Sequence, residues 1–253
     1  MKVAIFSDVH GNSIALDAVL RDIAPEHVDA FWVIGDLVAL GPDPSGSARM
    51  LAALPDATFV RGNTDRYVVN GDVPGGPAQL EAARQDPERL PRYLRLFSNF
   101  PWARGAIAAT GHYAWLAQIP LEIRVTLPDG TRVLLVHAAP GTDDGPGIPP
   151  QDVMSDDDLA SVLAGADADL VIVGHTHVPL DRTVDGVTVH NLGSVSVPKT
   201  DEPRAMWTLL TADESGHTLE RRFVEYDVAK VHAALDAAHH PYADAIKEMI
   251  PLA

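Results

Sequence analysis

The sequence predicts an α/β protein built from two packed mixed sheets with helices outside. Three observations carry this expectation. The first third alternates short apolar runs with helical periodicity, a β-α-β-α-β series that implies parallel strands joined by right-handed crossovers. The second half holds two hairpin signals, Pro128-Asp-Gly130 and Asp185-Gly186, each between apolar runs. Polar clusters terminate the strands, and in parallel sheets ligands gather beyond the carboxyl ends.

Taken in order, Lys2 to Ser7 reads as a buried strand broken by Asp8-Val-His-Gly-Asn12. Ile14, Leu16, Val19, Leu20 and Ile23 recur at helical spacing, and Pro25 closes that helix. Asp29 to Ile34 is a second strand ending at Gly35-Asp36. After the rigid Gly41-Pro-Asp-Pro44 loop comes a helix near Ser45 to Leu54. Ala57 to Arg61 is the third strand, ending at Gly62-Asn63-Thr64-Asp65. Residues 66–118 interrupt the strand series and read as a helical insert, either a cap over the strand ends or a lateral layer. Leu121 to Leu127 and Thr131 to Val136 form a hairpin that ends at His137. A Gly/Pro/Asp loop, 141–150, leads to Ser155-Asp-Asp-Asp158, whose acidic residues suit a helix start. Leu170 to Val173 is a strand ending at Gly174-His-Thr-His177. Leu180 to Val184 and Val187 to His190 form another hairpin, followed by Asn191-Leu-Gly-Ser194. Met206 to Thr211 and Leu219 to Tyr226 read as antiparallel strands, and two helices close the chain near 228–238 and 242–250.

Composition bounds the function. The 253 residues are 46% hydrophobic and carry a net charge of −16. That length allows a sizeable core, and such an anion repels nucleic acids and acidic membranes at long range. The expected partner is a small phosphorylated substrate, with no extended nucleic-acid surface and no membrane. With no Cys, disulfides, thiolate metal sites and Cys nucleophiles are excluded. No signal peptide or membrane-length apolar run is evident, so a cytoplasmic protein is expected.

The strand-end clusters bring together two carboxylates, one amide and four imidazoles: Asp8, His10, Asp36, Asn63, His137, His175 and His177. Oxygen and nitrogen donors without thiolate suit Mn²⁺, Fe²⁺, Zn²⁺ or Ni²⁺. The i,i+2 spacing of Asp8/His10 and His175/His177 predicts that each pair points the same way along extended backbone. Seven donors exceed the need of one ion. Two ions sharing a carboxylate account for them, at separations of roughly 3.5–4 Å in such sites.

The succession Asp8-x-His10, Gly35-Asp36, Gly62-Asn63-Thr64-Asp65, His137 and Gly174-His175-x-His177 resembles the calcineurin-like metallophosphoesterases. Gly35-Asp-Leu-Val-Ala-Leu-Gly-Pro-Asp-Pro44 and Asn191-Leu-Gly-Ser194 are similar to a bacterial branch described as predicted phosphodiesterases or diadenosine-tetraphosphatase-like. The resemblance spans about residues 2–227. It implies a four-layer α/β/β/α sandwich, with 1–253 as a single domain carrying the insert at about 66–118. It also implies two divalent ions per chain, Mn²⁺ foremost, with Fe, Zn or Ni as the other fitting metals. Asp8, His10 and His177 would bind one ion, Asn63, His137 and His175 the other, and Asp36 would bridge them. The implied reaction is in-line attack by a metal-bridged hydroxide on a small phosphodiester or nucleotide, with Asp36, Asn63 and Asp65 as the catalytic set. Phosphomonoesters, dinucleoside polyphosphates and a non-catalytic scaffold on the same fold are the alternatives.

One residue departs from the family pattern. His usually follows the motif Asn and protonates the leaving oxygen, oriented by the next acid. Here Thr64 stands there, and Asp65 is retained. Candidate substrate contacts are Asn12, Arg66 and His112, with helix capping, a surface ion pair and ordinary packing as their respective competing roles. His112 is a substitute proton donor only if the insert folds over the metals.

Overall fold

The computed structural model describes residues 1–200 and 204–252. Each apolar run becomes a strand. Strands β1 (Lys2–Phe6), β2 (Ala30–Ile34) and β3 (Ala57–Val60) alternate with helices α1 (Ser13–Ile23) and α2 (Pro44–Ala52). Asn12 caps α1 by accepting from the Ala15 amide. Asp43 caps α2, with Pro44 at its first turn, where the missing N–H costs nothing.

Four helices follow: α3 (Asn63–Asn70), α4 (Gly76–Arg84), α5 (Arg89–Ala109) and α6 (Tyr113–Ala117). The insert expected from residue 66 thus starts inside a helix that already begins at the motif Asn. Gly62 is the extended cap of α3, and the third helical residue, Asp65, returns its carboxylate to the Gly62 amide, so strand, motif and helix are one unit.

The chain continues through β4 (Glu122–Thr126), β5 (Arg132–Val136), α7 (Asp156–Leu163), β6 (Leu170–Val173), β7 (Leu180–Val184), β8 (Val187–Asn191), β9 (Ala205–Asp213), β10 (Gly216–Val224), α8 (Val228–Ala237) and α9 (Ala243–Met249). Two five-stranded mixed sheets result, ordered β10-β9-β1-β2-β3 and β4-β5-β6-β8-β7. β1, β2 and β3 run parallel, as do β5, β6 and β8. Antiparallel strands complete one edge of the first sheet, β9 and β10, and both edges of the second, β4 and β7.

Alternation along the buried strands separates two faces. Val3, Ile5, Trp32 and Ile34 meet Val133, Leu135, Leu170 and Ile172 between the sheets. Ala4, Phe6 and Val33 face α1, α2 and the insert on one outside. Leu134, Val136, Val171 and Val173 face Leu159 and Leu163 of α7 on the other. The layers are therefore α/β/β/α.

The insert packs through α5 on the segment after β2 and on α2. Phe100, Ala103 and Ile107 of α5 pack against Leu37, Val38 and Leu51, and Asn99 accepts from the Leu40 amide at 2.8 Å. The last helices make a separate cluster, in which Val231, Leu235, Tyr242 and Ile246 bury Val197.

Candidate metal centre

The carboxyl ends of β1, β2, β5 and β6, with the start of α3, converge on one edge of the sandwich. Asp8, His10, Asp36 and His137 are buried there. His177 Nε2 lies 3.1 Å from Asp8 Oδ1 and 3.0 Å from His10 Nε2. His137 Nε2 lies 3.4 Å from Asp36 Oδ2 and 3.9 Å from Asp8 Oδ1. Two groups able to hold a cation overlap at Asp8: Asp8, His10 and His177, and Asp8, Asp36 and His137.

The backbone reaches this arrangement in a way the i,i+2 argument misses. Asp8, His10, Asp36, His175 and His177 have φ of 57°, 50°, 56°, 67° and 61°, so both expected extended pairs lie in left-handed conformation. β1, β2 and β6 turn sharply at their carboxyl ends, and the turns, not strand alternation, gather these five side chains. Non-glycine residues held there cost of order 1 kcal/mol or more each and cluster at functional sites. Hydrogen bonds over-determine the turns: Asp8 N to Gly35 O, His10 N to Asp36 O and Gly41 N to His10 O. A Cβ at Gly62 would overlap Asp36 Oδ1, and one at Gly174 would overlap Asp8 Oδ2, so two glycines bring backbone against the carboxylates.

The imidazoles are oriented from behind. His137 Nδ1 donates to Ile34 O at 2.8 Å, and His177 Nδ1 donates to Val197 O at 2.8 Å. Both leave Nε2 bare toward the cluster. His175 is reversed: Nε2 donates to Gly145 O at 2.8 Å, and Nδ1 lies 3.1 Å from Asn63 Oδ1. Backbone acceptors that fix the tautomer are a common feature of metal-binding histidines. The residues fit a divalent cation on a direct observation: Asp8 Oδ1 and His137 Nε2 are buried and no hydrogen bond satisfies them, a costly arrangement unless a cation completes it.

The electrostatics agree. Burial alone would raise the Asp36 and Asp8 carboxyls, but His137 and the neighbouring imidazoles hold Asp36 well below its ordinary range, and His177 and His137 do the same for Asp8. Burial lowers His137, yet Asp36 and Asp8 push it up to about 10. The field at that point strongly favours positive charge. His10, where burial outweighs Asp36, falls to about 4 and stays a neutral donor. Burial and then Asp36 push Asp65 up to about 7, against the amides of Gly62 and Leu37.

The other expected contacts lie elsewhere. Asn12 is fully used inside the fold: Oδ1 caps α1, and Nδ2 donates to Ser196 Oγ at 3.1 Å. Every edge of the Arg66 guanidinium meets a carboxylate: Asp143 at Nε, Asp72 at Nη1 and Asp144 at Nη2. Arg66 therefore ties α3 to the 141–150 loop and offers no free fork to substrate. His112 sits before α6, bonded to Thr110 and edge-on to Trp115. No hydrogen bond or ring contact among the described residues joins it to the cluster. Asp65 accepts from Leu37 N and Gly62 N, each at 2.9 Å, so it positions the loops of Asp36 and Asn63 rather than facing the cavity.

Sequence reasoning missed the loop after β8 and the acidic pair at 143–144. Ser194 Oγ donates to Asp8 O, Ser196 N donates to the same carbonyl, and Val197 O holds His177. Asp143 and Asp144 fix the loop whose Gly145 carbonyl holds His175. The available signal was positional: Asn191-Leu-Gly-Ser194 also follows a parallel strand.

A model of the calcineurin-like phosphoesterase superfamily domain matches residues 1–215. The chain belongs to this superfamily. Its two mixed sheets match those of a metallophosphoesterase structure, and the family supports metal-dependent phosphoester hydrolysis. The phosphoesterase chain is 26% identical over 247 residues to an uncharacterised protein of Methanocaldococcus jannaschii, covering 91% of this chain and 90% of that one. A metallophosphoesterase of Sphaerobacter thermophilus aligns with TM-score 0.74 and 26% identity, covering 99% and 98% of the two chains. A shorter stretch of 72 residues is 38% identical to a symmetrical bis(5′-nucleosyl)-tetraphosphatase of Pectobacterium carotovorum, covering 27% of this chain and 25% of that one. Among the described residues no helix is long and apolar enough to cross a membrane.

Proposed function

We propose that this phosphoesterase hydrolyses small phosphodiesters, nucleotides included, with two divalent cations, Mn²⁺ foremost. The observation that carries the reading is the buried convergence of Asp8 and Asp36 on His10, His137 and His177, with Asp8 Oδ1 and His137 Nε2 unsatisfied. Asp8, His10 and His177 are assigned to the first ion, Asn63, His137 and His175 to the second, and Asp36 to both. Ions held there would activate a water near neutral pH and offset the negative charge of a phosphoryl group. The chain's own part is orientation. The Ile34, Val197 and Gly145 carbonyls set which imidazole nitrogen faces inward, and Asp65 holds the Asp36 and Asn63 loops at fixed spacing.

Preference for diesters over monoesters rests on Arg66. A monoester brings an extra negative charge that favours another basic contact. The nearest sequence candidate for that contact is neutralised by Asp72, Asp143 and Asp144. The tetraphosphatase similarity places a dinucleoside polyphosphate on the assay panel beside diesters and monoesters.

Protein purified without chelator and saturated with Mn²⁺ is expected to hold two ions per chain. It should turn over bis(p-nitrophenyl) phosphate with higher kcat/KM than p-nitrophenyl phosphate. Asp36→Asn is expected to lose at least one ion and about 10³-fold or more in activity, since one residue serves both ions. One ion or none at saturation would overturn the dinuclear reading. Preference for the monoester would move the assignment to a phosphomonoesterase.

A further inference from the structure

A cavity of about 460 Å³ lies between the helical insert and the C-terminal helices. That size falls in the range of small-ligand sites. Its floor is aromatic and aliphatic: Tyr93, Leu96 and Tyr242. Its rim is polar and cationic: Gln79, Arg89 and Arg92. Arg89 and Arg92 are three residues apart at the start of α5, so they share one face.

The charge of this rim stands out in a chain of net charge −16. Arg61, Arg66, Arg132, Arg182 and Arg221 each meet a carboxylate. Arg92 is exposed and has no hydrogen-bond or ion-pair partner among the described residues. Arg89 gives one N–H to Gln79 Oε1 at 2.9 Å and keeps the rest of its fork. Arg92 also lines a neighbouring cavity together with Arg95. A guanidinium at the mouth of a partly apolar cavity is a ready contact for a phosphate or similar anion.

The cavity is linked to the candidate metal centre by two packing routes. Its wall at Pro74–Gly75 reaches the Tyr67 hydroxyl, which Asn63 also approaches and which donates to Asp144 at 2.5 Å. Its floor at Leu96 and Tyr242 packs in the same cluster as Val197, whose carbonyl holds His177. Tyr93 keeps that wall in place by donating to Pro74 O at 3.1 Å.

We propose that this cavity is the subsite for the nucleoside portion of the substrate, with the base against Tyr93, Leu96 and Tyr242 and an anionic group at Arg89 and Arg92. A π-face accepts any base, and two tyrosines with an aliphatic neighbour suit a planar apolar ring. The inference rests on the phosphodiesterase reading for its role in turnover, but not for binding itself. Tyr242 lies beyond the residues matched by the superfamily model, which ends at 215, so the subsite joins the insert to a segment outside that match.

The test has a binding arm and a turnover arm. In the first, AMP, adenosine and inorganic phosphate are titrated calorimetrically into chelator-treated full-length protein. The AMP Kd is expected to weaken about tenfold or more in Arg92→Ala, to recover in part in Arg92→Lys, and to stay unchanged in Arg84→Ala. Adenosine and phosphate should each bind less tightly than AMP. In the second, Mn²⁺-loaded Arg92→Ala is expected to lower about tenfold the ratio of kcat/KM for the p-nitrophenyl ester of thymidine 5′-monophosphate to that for bis(p-nitrophenyl) phosphate. Equal AMP affinity in wild type and Arg92→Ala, or no AMP binding by wild type at millimolar concentration, overturns the subsite. Phosphate binding as tightly as AMP overturns its nucleoside part. If wild type hydrolyses neither ester, the phosphodiesterase reading fails, while the calorimetry still decides the cavity.

Discussion

Thr64 sits where the family's proton donor usually stands, and its geometry shows what it does instead. Its amide donates to Asp36 Oδ1 at 2.9 Å, so the backbone holds the shared carboxylate whatever the side chain. Its Oγ1 is buried without a hydrogen-bond partner. Thr64→Val is isosteric and removes a buried hydroxyl that has no partner, so stability is expected to rise, by about 1 kcal/mol, and kcat/KM to change by less than a few-fold. A tenfold loss with unchanged metal content would give the hydroxyl a role in turnover. General acids contribute about 10²–10⁴-fold, and that help matters most for poor leaving groups. Wild type should therefore show a steep dependence of rate on leaving-group pKa, and Thr64→His, placed beside Asp65, should flatten it. Equal shallow slopes would mean that a proton donor is already present. All seven candidate ligands were legible as residue types at strand ends. The left-handed turns that aim five of them were not, because a sequence pattern carries strand period but not the φ of the residue that leaves the strand. The same limit applies to Arg66, whose three carboxylate partners lie 6, 77 and 78 residues away.

At the scale of elements, the C-terminal pair α8 and α9 is held by a group with its own pH response. His240, between them, is buried, edge-on to Trp102 at 4.6 Å, and accepts from the Tyr242 amide at 3.1 Å. Burial lowers its pKa to about 4 from an ordinary value near 6.5. Between those values the unfolded chain binds a proton that the folded chain refuses, so stability falls as pH drops from about 6.5 toward 4. Each unit of pH in that window is worth up to about 1.4 kcal/mol. His240→Phe keeps a ring against Trp102 and removes the titration. Its melting temperature is expected to fall less than that of wild type between pH 7 and pH 5. Parallel melting curves across that range would show that His240 is protonated in the folded chain. Element types were readable because apolar period and turn residues are local. Two things were not: that α3 begins at Asn63 rather than after the motif, and where the insert docks. The first depends on Asp65 folding back to Gly62, the second on which face of α5 finds Leu37, Val38 and Leu51.

At the scale of the whole molecule, metal binding and folding are linked. The ligands come from Asp8 to His177, across both sheets, so they assemble only in the folded chain. A cation that binds the folded state alone stabilises it by about 2.7 kcal/mol at a concentration one hundred times its Kd. For a chain of this size that corresponds to a rise in melting temperature of roughly 5–10 °C. Saturating Mn²⁺ is expected to give this shift, EDTA to abolish it, and Asp36→Asn to show little of it. A Mn²⁺ shift in Asp36→Asn equal to that of wild type would move the cation away from Asp36.

The sequence by itself determined which residue types stand at the ends of strands, that the strands run as parallel units with hairpin edges, and that the donor set is oxygen and nitrogen. These follow from local pattern: period, turn chemistry and composition. Only the tertiary structure decided that β8 pairs with β6 and brings Ser194–Val197 to the same edge, and that Asn12 and Arg66 are consumed inside the fold. It also decided that the insert and Tyr242 line one open cavity. Each depends on which distant segments meet, and packing of the two sheets settles that, because a side chain's role is set by the partners that close around it rather than by its neighbours in the chain.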